Sequence, residues 1–209
     1  DWTNVDFLKS TYDKAFVEII KGTNLEYNQN QFNEDLMISH TPTNFVYRNT
    51  GDFQFTLANK NWGLNDAFST FGSATADLDN DGDLDLICNN LDTTAFIYEN
   101  LTNEKNENFK YLKVDFVGQA YNYYGIGAKV FLYYKNQMQS FENTYFRGFL
   151  SNSAPQAHFG LPEHIQTVDS IIVVWPGGAF ETVKNQSSNQ TLTLKQKNAS
   201  GNYYQEFQK

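Results

Sequence analysis

Cysteine, proline and methionine are scarce in this 209-residue chain, which has one Cys, four Pro and two Met. A single thiol excludes an internal disulfide and a multi-thiolate zinc site. Basic residues are in the minority too, with 15 Lys+Arg against 24 Asp+Glu and a formal net charge of −9. Neutralising a phosphate backbone needs a basic face, so no nucleic acid is expected as a partner. An anionic membrane surface would repel the chain for the same reason. No apolar run approaches the ~20 residues that cross a bilayer, so this segment is not expected to insert into a membrane. No signal-like segment opens the sequence at Asp1, which leaves a cytosolic protein or a processed or trimmed piece.

Aromatic residues, by contrast, are abundant: Phe 18 and Tyr 13, with aromatics making up 16% of the chain. Rings suit pleated, half-buried surfaces where they pair across strands. Asn recurs between the apolar runs, where it tolerates the left-handed angles of tight turns. The expectation is an all-β chain with one N-terminal helix. That helix covers residues 4–21, where Val5, Leu8, Tyr12, Phe16 and Ile19 recur at helical spacing before Gly22. Residues 23–43 form an Asn-rich connection with a short strand around 36–39.

From Asn44 onward the rhythm is strand and turn. Residues 45–48 and 53–57 flank Asn49-Thr50-Gly51-Asp52 as a hairpin, and 73–76, 84–89 and 94–98 are further short strands. The charged stretch 101–109 reads as a linker. Beyond it lie strands at 111–117, 127–134, 137–145, 157–159, 170–175, 180–183 and 191–195, enough for a sandwich or barrel.

The sharpest local feature is DLDNDGDLD over residues 77–85. Carboxylates at alternate positions converge only where the chain curls around a common centre, and a glycine at the sixth position permits the turn. Crowded carboxylates without a cation would raise one another's pKa, so the pattern implies a hard cation. A helix–loop–helix calcium hand fails here, because its closing glutamate would fall at Cys88 and the flanks look like strands. Asp77, Asp79, Asp81 and Asp85 are therefore expected to supply side-chain oxygens and Asp83 its backbone carbonyl. Asn80 and the Asp83 side chain are expected to point outward. Six or seven oxygens at about 2.3–2.6 Å suit Ca²⁺ better than Mg²⁺.

Other motifs read as structural. Gly125-Ile126-Gly127-Ala128 lacks the ending of a phosphate loop and fits a bend where strands approach closely. His158 lies among apolar neighbours with no nucleophile pattern, as a hydrogen-bonded structural histidine would. Trp175 ends a buried strand, and Cys88 sits in an apolar one. Trp62, Tyr121, Tyr123 and Tyr124 have an alternative role to cross-strand packing, since exposed rings near Asn and Asp can stack on sugar faces.

Two stretches carry a resemblance. NFVYRNTGDFQF over 44–55 and FGSATADLDNDGDLDL over 71–86 resemble the FG-GAP/VCBS repeats of integrin-like β-propellers. GIGAKV over 125–130, RGFLS over 147–151, HFGL over 158–161 and VVWPGG over 173–178 resemble the ASPIC/UnbV domain of cartilage-acidic-protein-like proteins. The resemblance implies a propeller-blade-like repeat with a calcium loop over 44–104, then a C-terminal β-sandwich over 105–209; the helix and connection of 1–43 lie outside its motifs. It also implies a secreted, periplasmic or cell-surface setting, where Ca²⁺ is plentiful enough for such a site. The functional expectation is a non-enzymatic calcium-binding module for surface adhesion or for recognition of an extracellular protein or glycan. The alternative is a carbohydrate-active hydrolase using paired carboxylates about 5–9.5 Å apart.

Overall fold

In a strand, side chains alternate between faces, so a half-buried strand repeats its apolar residues every second position. The computed structural model describes residues 43–91 and 93–207, and this alternation runs through most of its strands. The expected helix over 4–21 and the short strand near 36–39 lie outside the described residues. The chain divides into two compact units.

In the first unit, β1 (Tyr47–Gly51) and β2 (Gln54–Leu57) pair antiparallel as a hairpin. Its turn sits at Asp52 and Phe53, both with positive φ (48° and 58°), at the C-terminal end of the Asn49–Asp52 stretch expected to turn and one residue into the expected second strand. Two-residue hairpin loops match strand twist when both central residues have positive φ, and Gly51, at φ 94°, absorbs a shift of register. A short helix α1 (Asn59–Trp62) follows and stops at Gly63, whose left-handed φ of 74° ends it. The buried Asn59 ties the unit together. Its Oδ1 accepts from the Val46 N–H, and its Nδ2 donates to the Leu64 carbonyl.

The second unit begins with a three-stranded sheet of β3 (Thr70–Ala76), β4 (Asp85–Asn90) and β5 (Phe96–Tyr98) in sequence order. One turn of helix, α2 (Thr102–Lys105), stands where the sequence suggests only a linker. Nine strands follow: β6 (Lys110–Val117), β7 (Lys129–Tyr134), β8 (Gln137–Glu142), β9 (Phe146–Gly148), β10 (Ser151–Asn152), β11 (Gln156–Leu161), β12 (Thr167–Val174), β13 (Phe180–Ser187) and β14 (Gln190–Lys195). A last short helix, α3 (Tyr203–Phe207), stacks Tyr203 on Phe131 at 5.6 Å between ring centres.

Two sheets form a β-sandwich. One has the order β11-β6-β14, with β14 parallel to β6; the other, β13-β12-β7-β8, is antiparallel throughout. Leu112, Val114 and Phe116 of β6 meet Val130 and Leu132 of β7 and Ile171 and Val173 of β12 in one fully desolvated core. Trp175 closes it, edge-on to Phe116 at 6.1 Å. A Cβ on Gly125 would approach the Trp175 ring to 2.7 Å, which is why the Gly125-Ile126-Gly127 bend admits no side chain there. Cys88 is buried.

The alternation that buries Leu112, Val114 and Phe116 turns Tyr111, Lys113 and Asp115 to the outer face of β6. On β11 the residues opposite them are Gly160, His158 and Gln156. This outer face carries the site.

Candidate metal centre

The loop between β3 and β4 curls because its own carboxylates hold its backbone. Asp79 Oδ1 accepts from the Asp81 N–H at 3.2 Å, and Asp81 Oδ1 accepts from the Asp83 N–H at 3.0 Å. Asp79 and Asp81 thus each cap the amide two residues on, the local turn that Asp favours. Asn80 and Gly82 take positive φ, 63° and 102°, to complete the reversal. Asn80 is exposed, as the sequence suggests.

Asp85 braces the loop from below. Its Oδ2 accepts from the Leu78 N–H and its Oδ1 from the Asn100 N–H, each at 2.9 Å. Asp83 departs from the expectation of an outward side chain: it is 2% exposed, and its Oδ2 accepts from the Asn103 N–H at 2.9 Å. The reason is α2, which packs the 100–104 segment over the loop. Asn103 Nδ2 also donates to the Asp81 carbonyl at 2.8 Å, and Asn100 Nδ2 to the Leu84 carbonyl.

The outer face of the sandwich grips the loop from the other side. Lys113 Nζ pairs with Asp77 Oδ2 at 2.5 Å, both side chains being nearly buried. His158 Nε2 lies 2.7 Å from the Gly82 carbonyl; that oxygen can only accept, so the Nε2 proton is donated to it. His158 also stacks on Tyr111, with ring centres 6.1 Å apart and planes 9° from parallel. It is the hydrogen-bonded structural histidine the sequence suggests. The Tyr111 ring covers Gly82 so closely that a Cβ there would fall 2.0 Å from Cε1.

After these bonds are made, three buried carboxylate oxygens of the loop have no hydrogen-bond partner: Asp77 Oδ1, Asp81 Oδ2 and Asp83 Oδ1. Ligand atoms of Asp77, Asp79 and Asp81 come within 4.8 Å of one another, as do those of Asp81, Asp83 and Glu104, and those of Asp79, Glu99 and Glu104. The donors are all hard oxygens, the set that suits Ca²⁺ or Mg²⁺ rather than a transition metal. Burial, foremost, pushes the Asp83 carboxyl up to about 6; the Asn103 N–H opposes this, while the charges of Asp81, Asp85 and Glu104 add to it. A buried acid that resists ionisation among other acids, beside unpartnered oxygens, is the electrostatic condition a divalent cation relieves.

Comparison with known families fits this arrangement. Residues 27–88 match the family model of the FG-GAP-like repeat, and residues 118–201 match that of ASPIC and UnbV. The chain carries both, in that order. A search of curated proteins finds no match to the chain. The aspartate loop falls inside the FG-GAP-like stretch, and His158 inside the ASPIC and UnbV stretch. Glu99, Asn100, Asn103, Glu104, Tyr111 and Lys113 fall between the two matches.

Trp62, on α1, is about half exposed. Tyr121, Tyr123 and Tyr124 stand out from the β6–β7 connection, Tyr121 with no cover at all; Tyr124 meets Tyr145 edge-on at 6.2 Å. Among the described residues, no helix is long and apolar enough to cross a membrane.

Proposed function

We propose that this chain is a non-enzymatic, extracytoplasmic interaction module whose aspartate loop binds Ca²⁺ and so fixes the loop to the β-sandwich. The observation that carries the reading is the trio of buried, unpartnered oxygens on Asp77, Asp81 and Asp83. Leaving such groups unsatisfied is costly, and a hard cation among the clustered oxygens of Asp77, Asp79 and Asp81, next to the Asp81, Asp83 and Glu104 group, would relieve that cost. Asp77, Asp79, Asp81 and Asp83 would hold the ion, with Glu104 beside them. Asp85 frames the loop through the Leu78 and Asn100 amides. Bound Ca²⁺ supplies the positive charge that lets these carboxylates stay ionised together.

The rest follows from this chain's own residues. Lys113, His158 and Tyr111 sit on one sheet face, so an ordered loop would join the repeat, read as 44–104, to the sandwich, read as 105–209. The extracellular setting accords with the two family matches and with ion supply, because modules of this kind work at Kd values of about 10⁻⁴–10⁻³ M. The partner is an extracellular protein or a glycan, with the exposed rings of Trp62, Tyr121, Tyr123 and Tyr124 available for contact.

Calorimetric titration of chelator-stripped protein tests this directly. Ca²⁺ is expected to bind with a Kd on the order of 10⁻⁴ M and Mg²⁺ more weakly, since it holds its water shell more tightly. Asp81→Ala is expected to weaken Ca²⁺ at least tenfold. In the metal-free protein the raised Asp83 pKa favours the folded state below about pH 4, and that advantage is lost as the pH rises through about 6. Binding requires the ionised acid, so the apparent Ca²⁺ affinity is expected to fall as the pH drops below about 6. Absence of Ca²⁺ binding to verified metal-free protein at neutral pH would overturn the reading.

A further inference from the structure

A second feature of the same sheet face points to a ligand of definite chemistry. Beside the loop lies a cavity of about 270 Å³, bounded by Asp77, Phe141, Arg147, Ser153, Gln156 and His158. That volume is close to the lower end of small-molecule sites, about 300–1,000 Å³, and admits one compact ring. Its walls hold a cation with no counter-charge. Arg147 lies over the Phe141 ring at 5.3 Å, and no carboxylate among the described residues pairs with it. In a chain with net charge −9, an unpaired guanidinium at a cavity mouth is conspicuous.

Arg147 is also held in place. It belongs to the β9–β10 hairpin, which is tied to β3 where Ser151 Oγ accepts from the Ser73 N–H at 2.9 Å. Gly72 permits this approach, since a Cβ there would meet the Leu150 carbonyl at 2.5 Å. With its Cζ 5.3 Å from the Phe141 ring centre and no hydrogen-bond partner among the described residues, the guanidinium keeps its planar fork for a planar, bidentate anion, which a carboxylate matches. The neighbouring groups call for hydroxyls. Gln156 Nε2 is committed to Asp115 Oδ1 at 2.6 Å, which leaves its Oε1 to accept. Ser153 uses its backbone N–H on the Tyr145 carbonyl and keeps a hydroxyl. Asp77 does not repel an entering anion strongly, because Lys113 offsets its charge.

We infer that this cavity binds a single carboxylated sugar residue, a uronate, with its carboxylate on the Arg147 fork and its hydroxyls near Ser153 and Gln156. The inference rests on the glycan limb of the function proposed above and gives it a chemistry. It does not require the ion for its contacts.

The test is a titration of isotope-labelled protein in Ca²⁺ buffer with glucuronate, glucose and glutarate, followed by NMR at the Arg147 side-chain N–H. Glucuronate is expected to give a saturable shift, with glucose and glutarate at least tenfold weaker. Arg147→Gln, at an exposed position that leaves the fold intact, is expected to weaken glucuronate at least tenfold, and Arg147→Lys to restore only part of it. No saturable shift with glucuronate, equal binding of glucose or glutarate, or unchanged binding to Arg147→Gln would each overturn the inference. Equal binding of glutarate would point to an acidic peptide side chain instead. The Gly82 amide in the same spectra reports Ca²⁺, so failure of the sugar site and failure of the ion site are distinguishable.

Discussion

Replacing Gly82 with alanine is expected to destabilise the protein by about 2–6 kcal/mol and to abolish Ca²⁺ binding in the accessible range. Two effects add. At φ 102° an L side chain is strained, by on the order of 1–3 kcal/mol. The new Cβ would also fall 2.0 Å from the Tyr111 ring, and overpacking typically costs about 1–3 kcal/mol more. Tyr111 cannot step aside cheaply, because it stacks on His158 and Phe109. Pairing Gly82→Ala with Tyr111→Ala should relieve the clash but not the backbone strain, recovering only part of the loss. Gly160→Ala is the control. It lies on β11 with nothing within 4 Å of a new Cβ, so its melting temperature should stay near wild type. Thermal melts and Ca²⁺ titrations of the four proteins separate these outcomes. A Gly82→Ala protein as stable as wild type would mean that the loop does not press against the sandwich.

Lys113→Met should destabilise the metal-free protein by about 3–5 kcal/mol, the range found when one partner of a buried pair is removed. Asp77 is 4% exposed at its side chain, and its other oxygen already lacks a partner, so the substitution strands a buried carboxylate. Saturating Ca²⁺ should reduce the penalty markedly, because Asp77 would then face a cation from its Oδ1 side. Adding Asp77→Leu to Lys113→Met removes the stranded charge and should restore much of the metal-free stability while eliminating Ca²⁺ binding. Denaturant melts with and without chelator measure all three effects. Equal penalties in both conditions would place Asp77 outside the ion's reach.

The sandwich strands were legible because each buries one face, and period-two alternation survives in the sequence of β6, β7, β11 and β12. The glycine bend at Gly125 and the structural His158 were legible for a related reason: each sits in a short motif with a single economical reading. The loop itself announced its chemistry through Asp spacing and Gly82. What surrounds it did not. Lys113 sits in a strand where a lysine ordinarily faces water, and its partner Asp77 is 36 residues away. Glu104, Asn100 and Asn103 lie in a charged, Asn-rich stretch that composition alone makes a linker. Only the chain's return over the loop turns them into amide donors and a neighbouring carboxylate. The same return buries Asp83, whose side chain a local reading sends to solvent. Local spacing encodes a loop's curl, whereas its second layer is set by tertiary register, to which a single sequence gives little access.

Hydrogen exchange of the intact chain, with Ca²⁺ and after verified chelation, tests most directly whether an ion joins the loop to the sandwich. Amides of residues 78–85, together with those of Asn100 and Asn103, are expected to exchange at least tenfold faster once the ion is removed. The core strands β7 and β12 should stay protected throughout. Identical exchange of the loop amides in both conditions would contradict the account.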